Sequence, residues 1–369
     1  MNFSHTEERQ MLADMAGRFV REQYPIDTRH KGAGSEEGFS RETWSQMAEL
    51  GLIGALFTED AGGFGGKGFD IAVLFEQFGK GLVTEPFLPN LLAGTILADR
   101  TDLIEEVIGG GALLALAHGE PGSRYTLEHV ETTAKKDGEG WVLNGSKSVV
   151  IGGDSADHLV VSARTSGNST DEKGISLFLV PADAEGIRIR GFSSIDGYRA
   201  AEIALENVAV DDLIGTEGEG LEPIRVANRA GALAVSAEAM GAIEVCIDMT
   251  LEYLKTRKQF GVAIGKFQAL QHRMADMMTE REQIRSALIN AAGHLEAEDA
   301  DWYVSALKNL VGTSGRMIAE EAIQLHGGIA MTWEYAVGHY AKRIIMIDHL
   351  FGDCDHHMER IIAGGRRAA

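Results

Sequence analysis

The sequence has few cysteines, a shortage of basic residues and no long hydrophobic run in its early part. Only two cysteines, Cys246 and Cys354, occur in 369 residues, which argues against a disulfide framework and fits a reducing compartment. Lysine and arginine total 34 against 55 aspartates and glutamates, giving a formal net charge of −21. Because basic side chains that neutralise phosphates supply most nucleic-acid affinity, nucleic-acid binding is not expected.

The sequence also shows no membrane or export signal. The most apolar early stretch, residues 109–117, is far too short to span a bilayer, so no membrane partner is expected. Residues 1–9 contain no basic region followed by an apolar core, so no signal peptide is read and a cytoplasmic location is expected. No internal repeat or long low-complexity tract occurs.

The sequence divides into three segments that differ in the spacing of their apolar residues. Residues 1–115 carry apolar side chains at three-to-four spacing, typical of helices, as at Met11, Leu12, Met15 and Phe19. Residues 116–215 contain stretches in which apolar and polar side chains alternate, as in Ile187-Arg188-Ile189-Arg190, and this alternation is typical of strands. Residues 216–369 return to helical spacing, with one stripe at Ile243, Ile247, Leu251 and Leu254. Separate helix, sheet and helix blocks predict an α+β fold, mostly α, with three domains at these boundaries.

Two local signals refine the boundaries. Asn144-Gly145 lies between apolar residues, and this dipeptide is a strong short-range hairpin signal, so two strands are predicted around a turn there. Residues 215–220 contain three glycines and predict a linker into the last domain.

Residues 63–68 match the dinucleotide pattern G-x-G-x-x-G letter by letter. A dinucleotide-binding glycine loop requires a strand before it and a helix after it. The preceding residues 58–62 instead read as a loop after a helical segment, so we do not expect a dinucleotide site here.

Residues 257–261 read Arg-Lys-Gln-Phe-Gly and follow a long apolar stripe. A guanidinium can grip a diphosphate through paired hydrogen bonds. Taken alone, Arg257 is more typical of a solvated cation at the C-terminus of a helix, where positive charge is favoured.

Residues 324–328 read Gln-Leu-His-Gly-Gly. The pair Gly327-Gly328 would let a ligand approach the backbone closely. The same pair is also a common end of a helix, and the two readings are compatible.

Together the two blocks, with their flanks at 267–276 and 329–335, resemble the two FAD-binding signatures of the acyl-CoA dehydrogenase family, over nearly the whole chain. The resemblance implies a helical domain, a β-barrel-like domain and a C-terminal four-helix-bundle domain. It implies FAD as cofactor, with the ADP half held by these blocks from a neighbouring subunit. The residues it implies for cofactor binding are Arg257, Gln259, Phe260, Phe267, Gln268, Gln324, Leu325, Gly327 and Gly328, with Glu120 and Ser123 from the partly kept 119–123 stretch.

The resemblance is poorest where the family does its chemistry. The family's Trp-x-Thr strand, which lies against the flavin, aligns with Val149-Val150-Ile151. The family's glutamate base aligns with Phe351, and its alternative position falls near Gly231-Ala232, where there is also no carboxylate. This pattern resembles the small subunit of heteromeric acyl-CoA dehydrogenases of the pimeloyl-CoA or steroid side-chain type, in which a partner subunit carries the base.

Asp353 keeps a second interpretation open. It lies two residues beyond the aligned base position, and a carboxylate in a desolvated pocket can serve as a base. It is also typical of an acid that caps a helix start. His349, Asp353, His356 and His357 have a spacing that one helical face could hold, but no second ligand cluster with structural-zinc spacing occurs, so no metal site is predicted.

The reaction that the resemblance implies is α,β-dehydrogenation of an acyl-CoA, with an electron-transfer flavoprotein as acceptor. Two arrangements stay open: a subunit that completes its partner's FAD site, or a self-sufficient enzyme with Asp353 or an unassigned acid as base. A related flavin enzyme of the nitroalkane-oxidase or monooxygenase kind is a third. Sharing FAD requires at least a dimer, and a tetramer is expected.

Overall fold

The computed structural model describes residues 6–367. Residues 1–5 and 368–369 lie outside the described residues, and so does that part of the signal-peptide prediction which concerns residues 1–5. The described chain divides into two compact units. The first contains residues up to 30, 67–83 and from 232 onwards, and the second contains residues 31–66 and 84–231.

Helices dominate both ends of the described chain. Within residues 6–367 the α-helices are α1 Glu7–Gln23, α2 Ile26–Ala33, α3 Arg41–Glu49, α4 Gly68–Gly81, α5 Phe87–Ile96, α6 Thr101–Ile108, α7 Leu221–Thr256, α8 Gln268–Gly293, α9 Ala300–Leu310, α10 Arg316–His326, α11 Val337–Asp348 and α12 Cys354–Arg367. Short 3₁₀ turns occur at Gly54–Leu56, Glu59–Ala61, Ile264–Lys266 and Gly327–Met331, and a π-helical turn at Val311–Gly315 joins α9 to α10.

The strands of the described residues form two sheets. Eight lie in the second unit: β1 Leu114–Ala117, β2 Thr133–Asp137, β3 Gly140–Ile151, β4 His158–Arg164, β5 Ile175–Pro181, β6 Ile187–Ser193, β7 Arg199–Val210 and β8 Leu213–Ile214. Their order is β6-β7-β3-β2-β4-β5-β8, with β1 paired to β4. The first unit has a small hairpin, β9 Lys258–Gln259 and β10 Val262–Ala263.

The core of the second unit lies on one face of the large sheet. Most of its members are fully buried branched or aromatic side chains, which pack well on a pleated surface. Trp141 of β3 meets Phe178 of β5 edge to face, with ring centroids 5.5 Å apart. Pairing between β3 and β7 is interrupted by register shifts at Leu143/Gly145 and at Lys147/Val150.

In the first unit, helices α4 and α7 approach closely at two glycines. A Cβ on Gly79 would lie 1.9 Å from the Glu238 carbonyl oxygen, and a Cβ on Gly241 would lie 2.0 Å from the Glu76 carbonyl oxygen. Neither position can hold a larger residue without the helices moving apart.

By length and composition, α7 alone among the helices of residues 6–367 could cross a membrane. However, 89% of its most apolar window is buried inside the protein, as in a core helix of a globular fold.

The structure confirms the α+β, mostly α, prediction but corrects two local ones. The hairpin predicted at Asn144-Gly145 is wrong, because β3 runs straight through both residues. Gly145 lies at a bulge, where a Cβ would lie 2.5 Å from Thr132 Oγ1. Met11 is 71% exposed and is not part of the buried stripe of α1. The predicted domain boundaries at 115 and 215 stay a prediction.

The glycines of 63–68 have a packing role. A 3₁₀ turn, Glu59–Ala61, precedes them instead of a strand, as expected. A Cβ on Gly63 would lie 2.3 Å from the Phe57 carbonyl oxygen, and one on Gly65 would lie 2.4 Å from the Ala55 carbonyl oxygen. The loop therefore folds against the preceding 3₁₀ turns and needs no bound phosphate to explain its glycines.

Candidate functional site

The first sequence block forms an exposed hairpin directly after α7. Its two turn residues, Phe260 and Gly261, have φ of 54° and 80°, so both are left-handed, as a two-residue hairpin of the I′ type requires. Phe260 is 90% exposed, and its ring lies 6.1 Å from that of Phe267, which is 39% exposed. The sequence analysis missed this hairpin, since a phenylalanine is an unusual residue for a left-handed turn.

The polar residues of this block are available for a ligand. Arg257 is exposed, and its carbonyl accepts the Ile264 N–H at 2.8 Å, which closes the base of the hairpin. No side chain or backbone group among the described residues engages the guanidinium of Arg257 or the amide of Gln259. Gln268, the first residue of α8, is exposed as well. Cationic and amide donors of this kind suit a diphosphate.

The second block lies where α10 ends. Gln324 is exposed, whereas the Leu325 side chain is 6% exposed and packs inward, so Leu325 could reach a ligand only through its backbone. Gly327 has φ of 68°, and a Cβ added to Gly327 or Gly328 would have no neighbour within 4 Å. Both glycines therefore present bare backbone to open space, as close approach by a ligand requires.

Aromatic side chains join the two blocks. The ring of Tyr253, four residues before Arg257, lies 4.6 Å from that of His326, and the ring of Tyr335 lies 5.2 Å from His326. The cofactor residues predicted from both blocks thus lie on one part of the first unit. Tyr253 itself carries no sequence motif that would have identified it.

Glu120 and Ser123, in the second unit, are committed to internal contacts. The buried Glu120 carboxylate accepts the Thr132 N–H at 3.0 Å, the Glu131 N–H at 2.5 Å and the Lys147 ammonium at 2.6 Å. The Ser123 hydroxyl donates to the Glu120 carbonyl at 2.9 Å. A direct cofactor contact by either side chain stays a prediction.

Lys147 was missed by the sequence analysis. Its side chain is fully buried, and besides Glu120 it donates to Ser162 Oγ at 3.0 Å and to the His118 carbonyl at 3.2 Å. Burial lowers the pKa of Lys147 to about 8, while the negative charge of Glu120 opposes that shift. The alternation from Trp141 places Lys147 on the inward face of β3, a signal that the incorrect turn at 144–145 concealed.

The segment aligned with the family's flavin-facing strand contains an unusual backbone. Val149 has φ of 54° and is 56% exposed, whereas Val150 is 2% exposed. A β-branched residue with positive φ is a conformational outlier. Neither valine offers a flat stacking surface or a hydroxyl group.

The turn at 350–353 is held tightly. Phe351 and Gly352 have φ of 59° and 113°. Asp353 Oδ1 accepts the His356 N–H at 2.9 Å, and the Asp353 carbonyl accepts the His357 N–H at 3.0 Å, so Asp353 caps α12. The His357 Nε2–H donates to the Phe351 carbonyl at 3.1 Å. The capping interpretation of Asp353 is thus supported, and its role as a base stays a prediction.

The alternative position for a base, on α7, also offers no available acid. Gly231 and Ala232 have no carboxylate, and the nearby Glu238 forms a bidentate ion pair with Arg343, both bonds being 2.6 Å. Both side chains of this pair are almost fully buried. A carboxylate paired in this way is a structural group.

The histidines and acids of 349–357 do not assemble a metal site. Asp353 and His357 bind backbone groups instead. Within the described residues, the acids and imidazoles that come close enough to share an ion are Glu120, His129 and Glu131. Because the Glu120 carboxylate already holds Lys147 and two N–H groups, that group is best described as part of an ion-pair network.

Comparison with known proteins identifies the family. Family models described as the acyl-CoA dehydrogenase N-terminal, middle and C-terminal domains match residues 6–99, 115–208 and 218–365. The chain belongs to the acyl-CoA dehydrogenase family. It is therefore a flavoprotein oxidoreductase of the class that dehydrogenates acyl-CoA thioesters, and its cofactor is FAD.

Three similar proteins illustrate the range of the family. The probable acyl-CoA dehydrogenase YngJ of Bacillus subtilis (strain 168) is 31% identical, over 91% of this chain and 92% of that protein. The solved structure of a Tcur3481-Tcur3483 steroid acyl-CoA dehydrogenase G363A variant is 29% identical, covers 98% of this chain and 99% of that one, and has a TM-score of 0.87. The structure of PigA with FAD and proline is 25% identical, covers all of both chains and has a TM-score of 0.91.

The residues of the first unit fit the ADP half of FAD. The site offers the exposed Arg257 guanidinium, which has no partner among residues 6–367, together with exposed amides and glycine backbone facing open space. These are the donor types that a diphosphate and ribose require.

Proposed function

We propose that this chain is a subunit of a heteromeric acyl-CoA dehydrogenase, in which it contributes Arg257, Gln259 and the 324–328 block to the FAD of a partner subunit that carries the catalytic base. The observation that carries this proposal is that neither base position, Phe351 or Gly231-Ala232, holds a carboxylate, and that the acids nearby in sequence are engaged elsewhere. Asp353 caps α12, and Glu238 is locked in an ion pair with Arg343.

The contrast between the two halves of the FAD site supports the same proposal. Donors for the ADP half are exposed and have no competing partners within the described residues, whereas Val149 and Phe351 replace the groups that would serve a flavin ring and a proton. A chain that supports another subunit's cofactor needs the donors for the ADP half, and it can lose the groups that serve the flavin ring and proton transfer. The similar steroid acyl-CoA dehydrogenase carries a double name, Tcur3481-Tcur3483, which is consistent with an assembly of two components.

In this proposal the chain's own residues bind and orient. FAD, when bound, accepts the hydride that leaves the β-carbon of the acyl group. Arg257 would neutralise diphosphate charge, and the open backbone at Gly327 would admit the dinucleotide. The substrate class is an acyl-CoA thioester. An electron-transfer flavoprotein would be the acceptor in a β-oxidation pathway, and a tetramer the assembly.

The test is flavin content. The chain is expressed alone and together with a full-length acyl-CoA dehydrogenase homologue encoded beside it, and the ratio of flavin to protein is measured by absorbance. The expected result is a colourless lone chain and about one FAD per two chains in the co-purified complex. One FAD per chain in the lone protein, with acyl-CoA turnover, would refute the proposal.

A matched pair of variants locates the contact. Arg257→Met should lower the flavin content of the complex, because it removes a guanidinium without a competing partner. Lys258→Met, a change at the neighbouring exposed cation, should leave flavin content unchanged. If both changes lowered flavin content equally, FAD binding would depend on overall charge and not on a specific contact with Arg257.

A self-sufficient enzyme with Asp353 as base is the second candidate, because Asp353 is the acid within the 350–353 turn. Asp353→Asn separates the two roles, since asparagine caps a helix as well as aspartate but cannot take up a proton. Under the heteromeric proposal, Asp353→Asn leaves turnover of the reconstituted enzyme unchanged, as does the exposed control Asp355→Asn. Loss of turnover with Asp353→Asn alone would establish the second candidate.

A further inference from the structure

Trp333 is a mostly exposed residue that is nevertheless held in place. Its exposed fraction is 64%. Its ring lies 5.4 Å from that of His30 and 4.7 Å from that of His339, and the Lys342 ammonium lies 5.0 Å from its centroid. These three neighbours fix the orientation of the indole, while the rest of its surface stays exposed and available for contact with a ligand or partner.

His339 is the central support of this arrangement. It is 4% exposed, and its ring stacks edge to face on His30 at 4.5 Å. Its Nε2 lies 2.8 Å from the Trp333 carbonyl oxygen. Because a carbonyl oxygen can only accept, His339 must carry its proton on Nε2 and donate it.

The segment that His339 supports has little structure of its own. After the 3₁₀ turn Gly327–Met331, residues 332–336 are neither helix nor strand, and α11 begins at Val337. Met331 is 76% exposed and Ile329 is 42% exposed. Without regular backbone hydrogen bonds, the conformation of such a segment depends on side-chain supports.

We propose that His339 is a positioning residue, which fixes Trp333 and the segment 329–335 in the orientation that completes the FAD site of the partner subunit. This inference rests on the proposed function, because the segment directly follows the 324–328 block. His339 acts through the Trp333 carbonyl and indole and does not itself contact the cofactor.

Burial and the neighbouring cations favour the neutral form of His339. The groups that face the two histidines are Arg29 and Asp27 on α2 and Lys342 on α11. Burial lowers the pKa of His339 from its usual 6.5, and Lys342 and Arg29 lower it further, against the bond to the Trp333 carbonyl. Burial also lowers the pKa of His30, and so does His339.

The sign of the pH effect follows from these shifts. A histidine whose pKa is lowered on folding binds fewer protons folded than unfolded, so its contribution to stability is complete above pH 6.5. That contribution is lost as the pH falls below 6.5 toward the lowered value. Protonation leaves the Nε2–H donor in place but puts a positive charge on a buried ring near Lys342 and Arg29, so acidification should loosen the packing of His339 against Trp333 and His30.

The first experiment uses the full-length chain alone, so it does not depend on any partner. In a Trp302→Phe background, the exposed indole is Trp333, because Trp44 and Trp141 are 1% and 7% exposed. The fluorescence anisotropy of the fraction quenched by acrylamide should be high at pH 7.5 and fall as the pH is lowered below 6.5, while far-UV circular dichroism stays constant. Constant anisotropy over this range would overturn the inference.

Two variants assign the effect to His339. His339→Gln places an N–H donor near the position of Nε2 and does not titrate, so anisotropy should stay high at both pH values. His339→Leu removes the donor and should give low anisotropy at pH 7.5. If His339→Leu does not fold, the Gln variant still decides, because a pH transition that persists in it contradicts the role of His339.

The second experiment measures FAD retention in the purified complex. Loss of one hydrogen bond of ordinary strength predicts about fivefold weaker retention for His339→Leu, with His339→Gln within about twofold of the native protein. If Arg257→Met releases FAD but His339→Leu does not, the inference fails and the proposed function stands. If the lone native chain holds its own FAD and turns over acyl-CoA, the proposed function fails, and with it the partner role of His339, whatever the anisotropy shows.

Discussion

Replacing Lys147 with methionine is the sharpest test of how the second unit is held together. Methionine matches the length of lysine but carries no charge or donor. The change removes three hydrogen bonds, to Glu120, Ser162 and the His118 carbonyl. It leaves the Glu120 carboxylate, whose side chain is 2% exposed, with the Thr132 and Glu131 N–H groups but no cation.

The expected cost is large because the orphaned charge cannot reach water. Removing one partner of a buried ion pair typically destabilises a protein by about 3 to 5 kcal/mol. The two remaining N–H donors to Glu120 place the expectation toward the lower end of that range, about 3 kcal/mol. Adding Glu120→Gln removes the unpaired charge, so the double variant should recover at least about 1 kcal/mol of the loss.

The assay is guanidinium unfolding followed by tryptophan fluorescence, since Trp141 lies on the same strand as Lys147 and packs against Phe178. Lys135→Met, at an exposed position on the neighbouring strand β2, is the control and should change stability by less than about 0.5 kcal/mol. If Lys147→Met is no more destabilising than this control, or the double variant is less stable than the single one, the account of the pair is wrong.

Three further predictions follow from single contacts. Gly241→Ala should lower the melting temperature by several degrees, because the new methyl would lie 2.0 Å from the Glu76 carbonyl oxygen; Gly365→Ala in α12, with no neighbour within 4 Å, should be neutral or slightly stabilising by calorimetry. Phe260→Asn should strengthen the β9–β10 turn, since asparagine tolerates positive φ, yet lower FAD content of the complex if the exposed ring contacts the cofactor or partner; unchanged content would assign the ring no role. Burial raises the pKa of Cys246 to about 12, so a thiol reagent at pH 8 should modify Cys354 in the native protein and both cysteines only after unfolding; rapid native modification of two thiols would contradict the burial of Cys246.

The sequence predicted what depends on periodicity. The stripes of α1 and α7 and the alternation of β6 are local patterns, and each gave an element of the correct type. The turn at Asn144-Gly145 failed because the same dipeptide also fits a bulge. Strand β3 pairs with β2 over residues 140–144 and with β7 over residues 141–151, and this pairing outweighs the preference of one dipeptide for a turn. The reversal occurs instead between Asp137 and Gly140.

The candidate site was predicted where motifs carry it and missed where distant residues meet. Arg257 and Gly327 lie in short blocks whose chemistry can be recognised without a structure. The contacts of Lys147 with Glu120, and of Glu238 with Arg343, join residues 27 and 105 positions apart, and nothing in either local sequence specifies the partner. The support of Trp333 by His30 depends likewise on tertiary packing.

The role of Asp353 turns on a conflict between capping and proton transfer. A carboxylate that caps a helix accepts a backbone N–H best when it is ionised, so uptake of a proton would weaken the bond from the His356 N–H at 2.9 Å. A general base must take up a proton during turnover and must also reach its substrate within hydrogen-bond distance. If Asp353 were the base, each turnover would loosen the start of α12, and with it the His357 bond that holds the Phe351 carbonyl. A base supplied by a partner subunit avoids this coupling, which is the physical reason for preferring the heteromeric arrangement.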